Sequence, residues 1–143
     1  MNNKYQNNMK GLELLENHPY TAVVVRAWFL EKMIESLQDE NVPDDFKNFM
    51  REQGIENDKL GVMIDANPRM LLDVFDNNDV IIIIKYHDNF GFSWAVEEAD
   101  DQSFYKTRKE AEAFAIEVAF DILENQLKPV LDDSDVTADS EDN

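Results

Sequence analysis

Two histidines are the residues of this sequence best suited to proton transfer near neutral pH. His18 directly precedes Pro19, and His87 follows a run of apolar residues. The two rings could act as a general acid and a general base only if folding brought them together. Neither has a local pattern of partner residues, so we expect surface or capping roles for both and no catalytic site.

Carboxylates are numerous enough to bind a hard cation such as Mg²⁺ or Ca²⁺. The two candidate groups are Asp73, Asp76 and Asp79, and Asp88, Asp100 and Asp101. A calcium-binding EF-hand loop needs alternating acids, then a glycine and a distal glutamate, and the first group lacks that glycine. Helix termination and turn formation explain these residues without a metal. We therefore expect no metal site.

The residues that hold cofactors or form covalent intermediates are absent or scattered. The four glycines, at positions 11, 54, 61 and 91, are too far apart to build a phosphate-binding loop. The chain has no Gly-x-Ser-x-Gly motif and no cysteine, which excludes a cysteine nucleophile, a thiolate zinc site and disulfides. We predict that the protein is not an enzyme and binds no cofactor. A metal-dependent enzyme built on the scattered acids remains an alternative.

Negative charge is the dominant property of the sequence. Its 143 residues include 31 acids and 13 bases, for a formal net charge of −18. Residues 132–143 hold six acids and no base, which predicts a disordered acidic tail, and residues 1–131 alone still carry −12. This exceeds the magnitude of about 2–8 that keeps a small domain soluble. Such a field repels nucleic acid and anionic lipid and attracts basic proteins.

The sequence also indicates where the protein resides. Its longest purely apolar run covers only residues 80–84, far short of the ~20 residues that span a bilayer. The polar N-terminus lacks the apolar segment of a secretory signal, and the absence of cysteine fits a reducing compartment. We therefore expect a cytoplasmic protein without membrane contact.

Hydrophobic periodicity predicts the elements of the N-terminal half. Apolar spacings of three and four indicate a helix over residues 20–38 and a second helix that starts within residues 41–45, with Pro43 in its first turn, and ends at Gly54. A brief helical turn follows near 58–64, and Asn67 and Pro68 start a further helix that continues to residue 75. A short amphipathic piece before Pro19 precedes them, and residues 1–8 are expected to form a frayed arm. In the longest of these helices the periodic apolar residues are Val24, Ala27, Trp28, Leu30, Met33, Ile34 and Leu37. Phe46, Phe49 and Met50 are the predicted buried stripe of the next helix.

In the C-terminal half the period changes from three or four to two. The β-branched run over 80–86 predicts a strand, with helices on both faces of residues 81–84. A return strand over 92–96 completes a hairpin, and residues 103–106 are a candidate third strand. Thr107 and Glu110 form a capping box that starts a long buried helix, which Lys128 and Pro129 are expected to end. The fold class is therefore α+β: a helical N-terminal half, a small antiparallel sheet and a long C-terminal helix, in one domain over residues 1–131.

We assign partner binding to the hairpin. Its aromatic residues, at 86, 90, 92 and 94, could stack nucleic-acid bases, but such platforms lie in basic grooves and acids surround these. Phe90 at the turn is the aromatic residue most suited to an exposed contact. The predicted partner-binding residues are Asp88, Phe90, Glu97, Glu98, Asp100 and Asp101.

The stretch from Phe104 to Ala111, Phe-Tyr-Lys-Thr-Arg-Lys-Glu-Ala, carries a resemblance. It is similar to the endings of small phage and mobile-element accessory proteins of unknown function, which also place a hairpin before an aromatic-x-Thr-Arg-x-Glu-Ala helix. The resemblance covers residues 80–127 and brings no catalytic residue with it. What it implies is a viral or mobile-element accessory protein.

These observations predict an acidic protein–protein interaction module without an active site. The hypothesis in its specific form is a phage-encoded inhibitor or nucleic-acid mimic, acting in the host cytoplasm on a basic host protein. A rigid acidic body can imitate the phosphate spacing of DNA, one charge per ~1.7 Å of duplex axis, and occupy a basic groove. The alternative is a structural or assembly protein of a virion or an oligomeric scaffold.

Overall fold

The computed structural model describes residues 10–37, 42–100 and 103–142, with side chains as far as residue 128. Within these ranges six helices and a three-stranded antiparallel sheet confirm the α+β class. The predicted frayed arm, residues 1–8, lies outside the described residues. The elements in chain order are α1 (Gly11–Asn17), α2 (Pro19–Glu35), α3 (Asp44–Gln53), α4 (Asn57–Ala66), α5 (Met70–Asn77), β1 (Ile82–His87), β2 (Gly91–Val96), β3 (Ala99–Asp100) and α6 (Arg108–Asp142).

A proline sets the boundary between the first two helices, and two glycines allow α1 to lie close to α4. Pro19 is the first residue of α2, where a missing amide costs nothing, and His18 separates α2 from α1. α1 crosses α4 at Gly11 and Gly61. A Cβ on Gly61 would lie 2.8 Å from the amide nitrogen of Leu12, so no larger residue fits this crossing without a backbone shift.

The buried face of α2 differs from the predicted periodic stripe. Leu30 and Ile34 are buried as expected, whereas Val24 and Trp28 are only partly buried and Ala27 is exposed. Apolar residues occupy almost every direction around this helix, so its period predicts a helix but not which face is inward. The buried residues of α2 are Thr21, Ala22, Val25, Phe29, Leu30 and Ile34.

Helix α3 is present as predicted, but its predicted buried stripe is wrong. Phe46 is 48% exposed, Phe49 is 53% exposed, and no residue of α3 is buried. The helix packs against α2 and is tied to it by Arg51, whose Nε donates to Oε2 of Glu31 at 2.9 Å. Amphipathic spacing showed that α3 has an apolar face, and no described element covers that face.

The sheet has the order β1-β2-β3, with Ile82 opposite Val96 and His87 opposite Gly91. The third strand is Ala99–Asp100 rather than the predicted 103–106, of which Tyr105 alone makes a bridge, to Phe92. The prediction of helices on both faces of residues 81–84 is wrong. Side chains of one face pack with α5 and α6, and those of the other face are exposed.

Helix α6 begins at the predicted capping box: the amide of Glu110 donates to Oγ1 of Thr107 (3.1 Å), and the amide of Thr107 to Oε1 of Glu110 (3.3 Å). Its inward residues complete the core, as predicted. The fully buried ones are Ala111, Ala115, Ile116, Ala119, Phe120 and Leu123.

The far end of α6 lies beyond the position that the sequence indicated. Helical backbone continues past Pro129 to Asp142, so the predicted end at Lys128 and Pro129 is not observed. A proline removes one amide bond and crowds the preceding turn, which disfavours a helix interior without forbidding it. Disorder over residues 132–143 in solution stays a prediction, because a segment of this length gains little helical stability without packing.

Candidate protein-binding surface

The sheet divides its side chains between two faces because strand residues alternate in direction. Ile82 and Ile84 of β1 point to the core together with Trp94 and Val96 of β2. The opposite face, called here the outer sheet face, consists of the side chains of residues 81, 83, 85 and 87, those of residues 93, 95 and 100, and the aromatic rings of Phe90 and Phe104.

The outer sheet face is exposed and carries two apolar groups, which the facing pair of Lys85 and Ser93 separates. Ile81 is 45% exposed, Ile83 49%, Phe90 67% and Phe104 46%. The ring of Phe104 contacts the ring of His87 edge-on, with centroids 4.9 Å apart, and lies 5.4 Å from the ring of Phe90. Single exposed apolar residues are ordinary, whereas neighbouring exposed apolar residues on one open sheet face are typical of an interaction site.

Acids lie at both ends of the hairpin, close to these two apolar groups. Asp88 lies in the turn between β1 and β2, beside Phe90, whereas Glu97 and Glu98 form the turn between β2 and β3 at the opposite end. Asp100 pairs with Ala95 and therefore lies on the outer sheet face. Residues 79–100 contain five acids and one base. A partner would meet two apolar groups, each with acids beside it.

The predicted partner-binding residues therefore form two groups rather than one cluster. Asp88 and Phe90 lie at the tip of the hairpin, and Glu97, Glu98 and Asp100 lie at its base. Asp101 falls outside the described residues. Glu97 also has a structural role, because its Oε2 accepts a hydrogen bond from the amide of Ile81 (3.1 Å).

The two histidines have separate partners. Nδ1 of His18 lies 2.7 Å from the carbonyl oxygen of Leu14, and Nε2 lies 2.6 Å from Oδ1 of Asp121. His87 pairs through Nε2 with Oγ of Ser93 at 2.7 Å. Since both ring nitrogens of His18 are engaged by acceptors, neither is available to a substrate in this arrangement.

A shallow groove of about 310 Å³ lies beside His18 and contains Glu13, Glu117 and Asp121. Burial raises the pKa of Glu117 above its ordinary value, and the negative charges of Asp121 and Glu13 add to this effect, while His18 opposes it. Three carboxylates around one histidine suggest a cation site. Yet no group of three or more metal-binding side chains is placed to hold an ion anywhere in the described ranges.

A larger groove, of about 690 Å³, lies between the α4–α5 turn and the start of α6. It is lined by Arg69, Arg108 and Lys109, and also by Asp65, Glu110 and Glu112. Nη2 of Arg69 donates to Oε2 of Glu112 at 3.1 Å. Because the formal charges of the lining cancel, electrostatics selects neither an anion nor a cation here.

The acid group of Asp73, Asp76 and Asp79, considered above as a cation site, does not come together as one either. Asp73 and Asp76 are exposed on α5, and Asp79 has a positive φ of 63° in the turn that leads to β1. This turn is closed by backbone bonds, among them the amide of Val80 to the carbonyl of Phe75 at 2.9 Å. These acids end a helix and form a turn.

Comparison with known proteins gives no relative from which a role could be transferred: no family model, no curated protein and no solved structure matches this chain. None of the helices in the described ranges combines the length and the apolar character that crossing a bilayer requires.

Sequence reasoning missed two features of the surface: the exposure of Ile81 and Ile83, and that of Phe46 and Phe49 on α3. A run of isoleucines is typical of a strand covered on both sides, so nothing in the run itself indicated an open face. The nearest signal was Lys85, a charged residue at a position in phase with Ile81 and Ile83.

Proposed function

We propose that the protein is an acidic protein–protein interaction module that binds a basic protein through its outer sheet face. The observation that carries the proposal is that the outer sheet face exposes two apolar groups, each close to acids at one end of the hairpin. The groups are Ile81 with Ile83, and Phe90 with Phe104. Apolar area supplies most of the affinity of such a contact, and complementary charge supplies the choice of partner and the rate of encounter.

The charge of the whole chain supports a basic partner. A formal charge of −18 attracts a basic surface and repels phosphate backbones, so a direct nucleic-acid ligand is disfavoured. A basic groove that normally holds nucleic acid is the partner surface that this charge fits best, and the module would then act as an inhibitor. The resemblance of residues 80–127 to phage and mobile-element accessory proteins fits this role in a host cytoplasm.

The proposal is tested by capture from a host lysate with two variants of equal charge. The outer-face variant combines Asp88→Asn, Glu98→Gln and Asp100→Asn. The control variant combines Glu16→Gln, Asp58→Asn and Asp73→Asn, three exposed acids on the helices α1, α4 and α5.

We expect wild type and the control variant to capture a basic protein, and the outer-face variant to lose it. Capture should weaken in about 0.5 M salt, because the Debye length there is about 4 Å and charges farther apart are largely screened from each other. Equal loss in both variants would mean that diffuse charge, not the outer sheet face, selects the partner. Capture of proteins that are not basic, unchanged in high salt, would refute the proposal.

A second candidate function is assembly, and helix α3 favours it. Phe46 and Phe49 are exposed and their rings are stacked, with centroids 6.5 Å apart, on a helix that buries no residue. A scaffold or virion component would cover this face with a neighbouring subunit. Sedimentation velocity at micromolar concentration tests this: an oligomer that Phe46→Ser and Phe49→Ser dissociate supports assembly, and a monomer contradicts it.

A further inference from the structure

Strand β1 has an unpaired edge, and the hydrogen bonds of the sheet show which of its backbone groups face outward. Phe92 of β2 exchanges two backbone bonds with Tyr105 (2.7 and 2.8 Å), so its amide and carbonyl point away from β1. Its partner across the ladder is Tyr86. In an antiparallel pair both residues of a non-hydrogen-bonded position direct their backbone groups outward. The amide and carbonyl of Tyr86 therefore point to the free side of β1.

The same alternation applies to the rest of the strand. Ile84 and Ile82 are two and four residues before Tyr86, so their backbone groups also face the free side, whereas those of Ile83 and Lys85 bond to β2. The described part of the chain has no strand beyond β1. Three amides and three carbonyls are thus arranged in a row along this edge, at a repeat of about 6.8 Å.

This edge lacks most of the features that keep edge strands from pairing. Natural edges are blocked by proline, bulges or charged side chains. The register of β1 with β2 is continuous from residue 82 to residue 87, β1 contains no proline, and Lys85 is the one lysine, arginine, aspartate or glutamate in it. A backbone row of this kind is the site at which an extended peptide adds to a sheet.

We propose that an extended segment of the basic partner binds as an additional strand along β1. This rests on the proposed function and specifies how the partner binds. Side chains of the added strand that point to the outer face would contact Ile81 and Ile83. Asp79 precedes β1 and Asp88 follows it, so the segment that fits is apolar in the middle with a basic residue at each end.

Charge argues against a second copy of this chain as the occupant. In an antiparallel pairing of β1 with its own copy, Asp88 of one chain would approach Asp79 of the other at both ends of the new ladder. Each chain also carries −18, which opposes self-association. A basic segment converts both of these repulsions into attractions.

Three synthetic peptides test the proposal by NMR titration of the full chain. The first is Lys-Thr-Val-Thr-Val-Thr-Val-Lys. The second has glutamate at both ends, and the third has an N-methyl group on every internal residue, which removes the internal amide donors from both edges of the peptide strand. We expect the first peptide to shift the amides of Ile82, Ile84 and Tyr86 and to slow their hydrogen exchange. The other two should bind at least about tenfold more weakly.

Two variants of one position separate backbone pairing from side-chain contact. Tyr86→Pro removes an outward amide that the β1–β2 ladder does not use, and Tyr86→Thr keeps the amide while losing the same exposed ring. Thermal melting of both variants shows whether each is folded, and the N-methyl peptide supplies the same comparison if Tyr86→Pro does not fold. We expect Tyr86→Thr to bind the first peptide and Tyr86→Pro to lose it.

Failure of this inference is distinguishable from failure of the proposed function. Strand addition is wrong if the basic peptide still binds folded Tyr86→Pro, or if the N-methyl peptide binds as the basic peptide does. If that binding is sensitive to salt, the proposal of a basic partner is unaffected. If the glutamate-ended peptide binds along the β1 edge as tightly as the lysine-ended peptide, the proposal of a basic partner is wrong and strand addition is unaffected. No amide shift along β1 with any peptide, or a dimer that Tyr86→Pro dissociates, overturns the inference.

Discussion

Glu124 of α6 caps the N-terminus of α2, and its removal should destabilise the fold more than any exposed substitution. Its Oε1 accepts a hydrogen bond from the amide of Thr21 (2.8 Å), and its Oε2 accepts one from the amide of Tyr20 (3.2 Å). Glu124 is 9% exposed and Thr21 is fully buried. Glu124→Ala leaves the amide of Thr21 without this acceptor in a place that water does not reach.

The expected magnitude follows from these contacts. A buried charge-assisted hydrogen bond contributes about 1.5–3 kcal/mol, and a carboxylate at a helix N-terminus adds about 0.3–1 kcal/mol. These contributions overlap, so we expect Glu124→Ala to lower the free energy of unfolding by about 3 kcal/mol. Glu124→Gln keeps one oxygen for Thr21 and loses the charge, so about half of that loss is expected.

Urea unfolding followed by far-UV circular dichroism at neutral pH measures these losses. The matched control is Gln126→Ala, an exposed position two residues along the same helix, which should change stability by less than about 0.5 kcal/mol. A Glu124→Ala variant as stable as Gln126→Ala would refute the reasoning that this carboxylate caps α2.

Three further predictions concern a titrating group, a helix crossing and the end of the chain. Burial raises the pKa of Glu117 above its ordinary value of 4.5, so the ionised carboxylate destabilises the folded state at neutral pH. Glu117→Gln should therefore raise the melting temperature at pH 7, but not at a pH well below 4.5, where the carboxyl group is protonated in both the folded and the unfolded chain. Unchanged melting at pH 7 would contradict this. Gly61→Ala should lower stability by about 1–3 kcal/mol in urea unfolding, because its Cβ would overlap the backbone of Leu12, whereas exposed Val62→Ala should not. In hydrogen exchange, the amides of residues 132–142 should exchange far faster than those of residues 111–123; equal protection would show a stable helix to the end.

The sequence was sufficient for the long helices, the β1–β2 hairpin and part of the core, but not for the position of β3 or the end of α6. The capping box of Thr107 and Glu110 fixed the start of α6, and the switch from a helical period to alternation located the hairpin. These are local signals, since a cap or a period depends only on residues near in the chain. They were enough for the α+β class.

The faces of elements could not be predicted in the same way, because covering a face depends on residues far away in the chain. The apolar stripe of α3 is real, yet Phe46 and Phe49 have no described partner that buries them. The isoleucines of β1 are equally apolar, but α5 and α6 pack on only one side of the sheet. The proposed functions depend on these exposed faces, where the local apolar pattern predicts burial and the fold leaves the side chains uncovered.

Hydrogen–deuterium exchange of the captured complex shows which face of the protein the basic partner covers. We expect the partner to slow exchange in residues 81–91 of the hairpin and to leave the exposed faces of α1 and α4 unchanged. Protection confined to α3, or no protection of the hairpin in a complex shown to be intact, would contradict it.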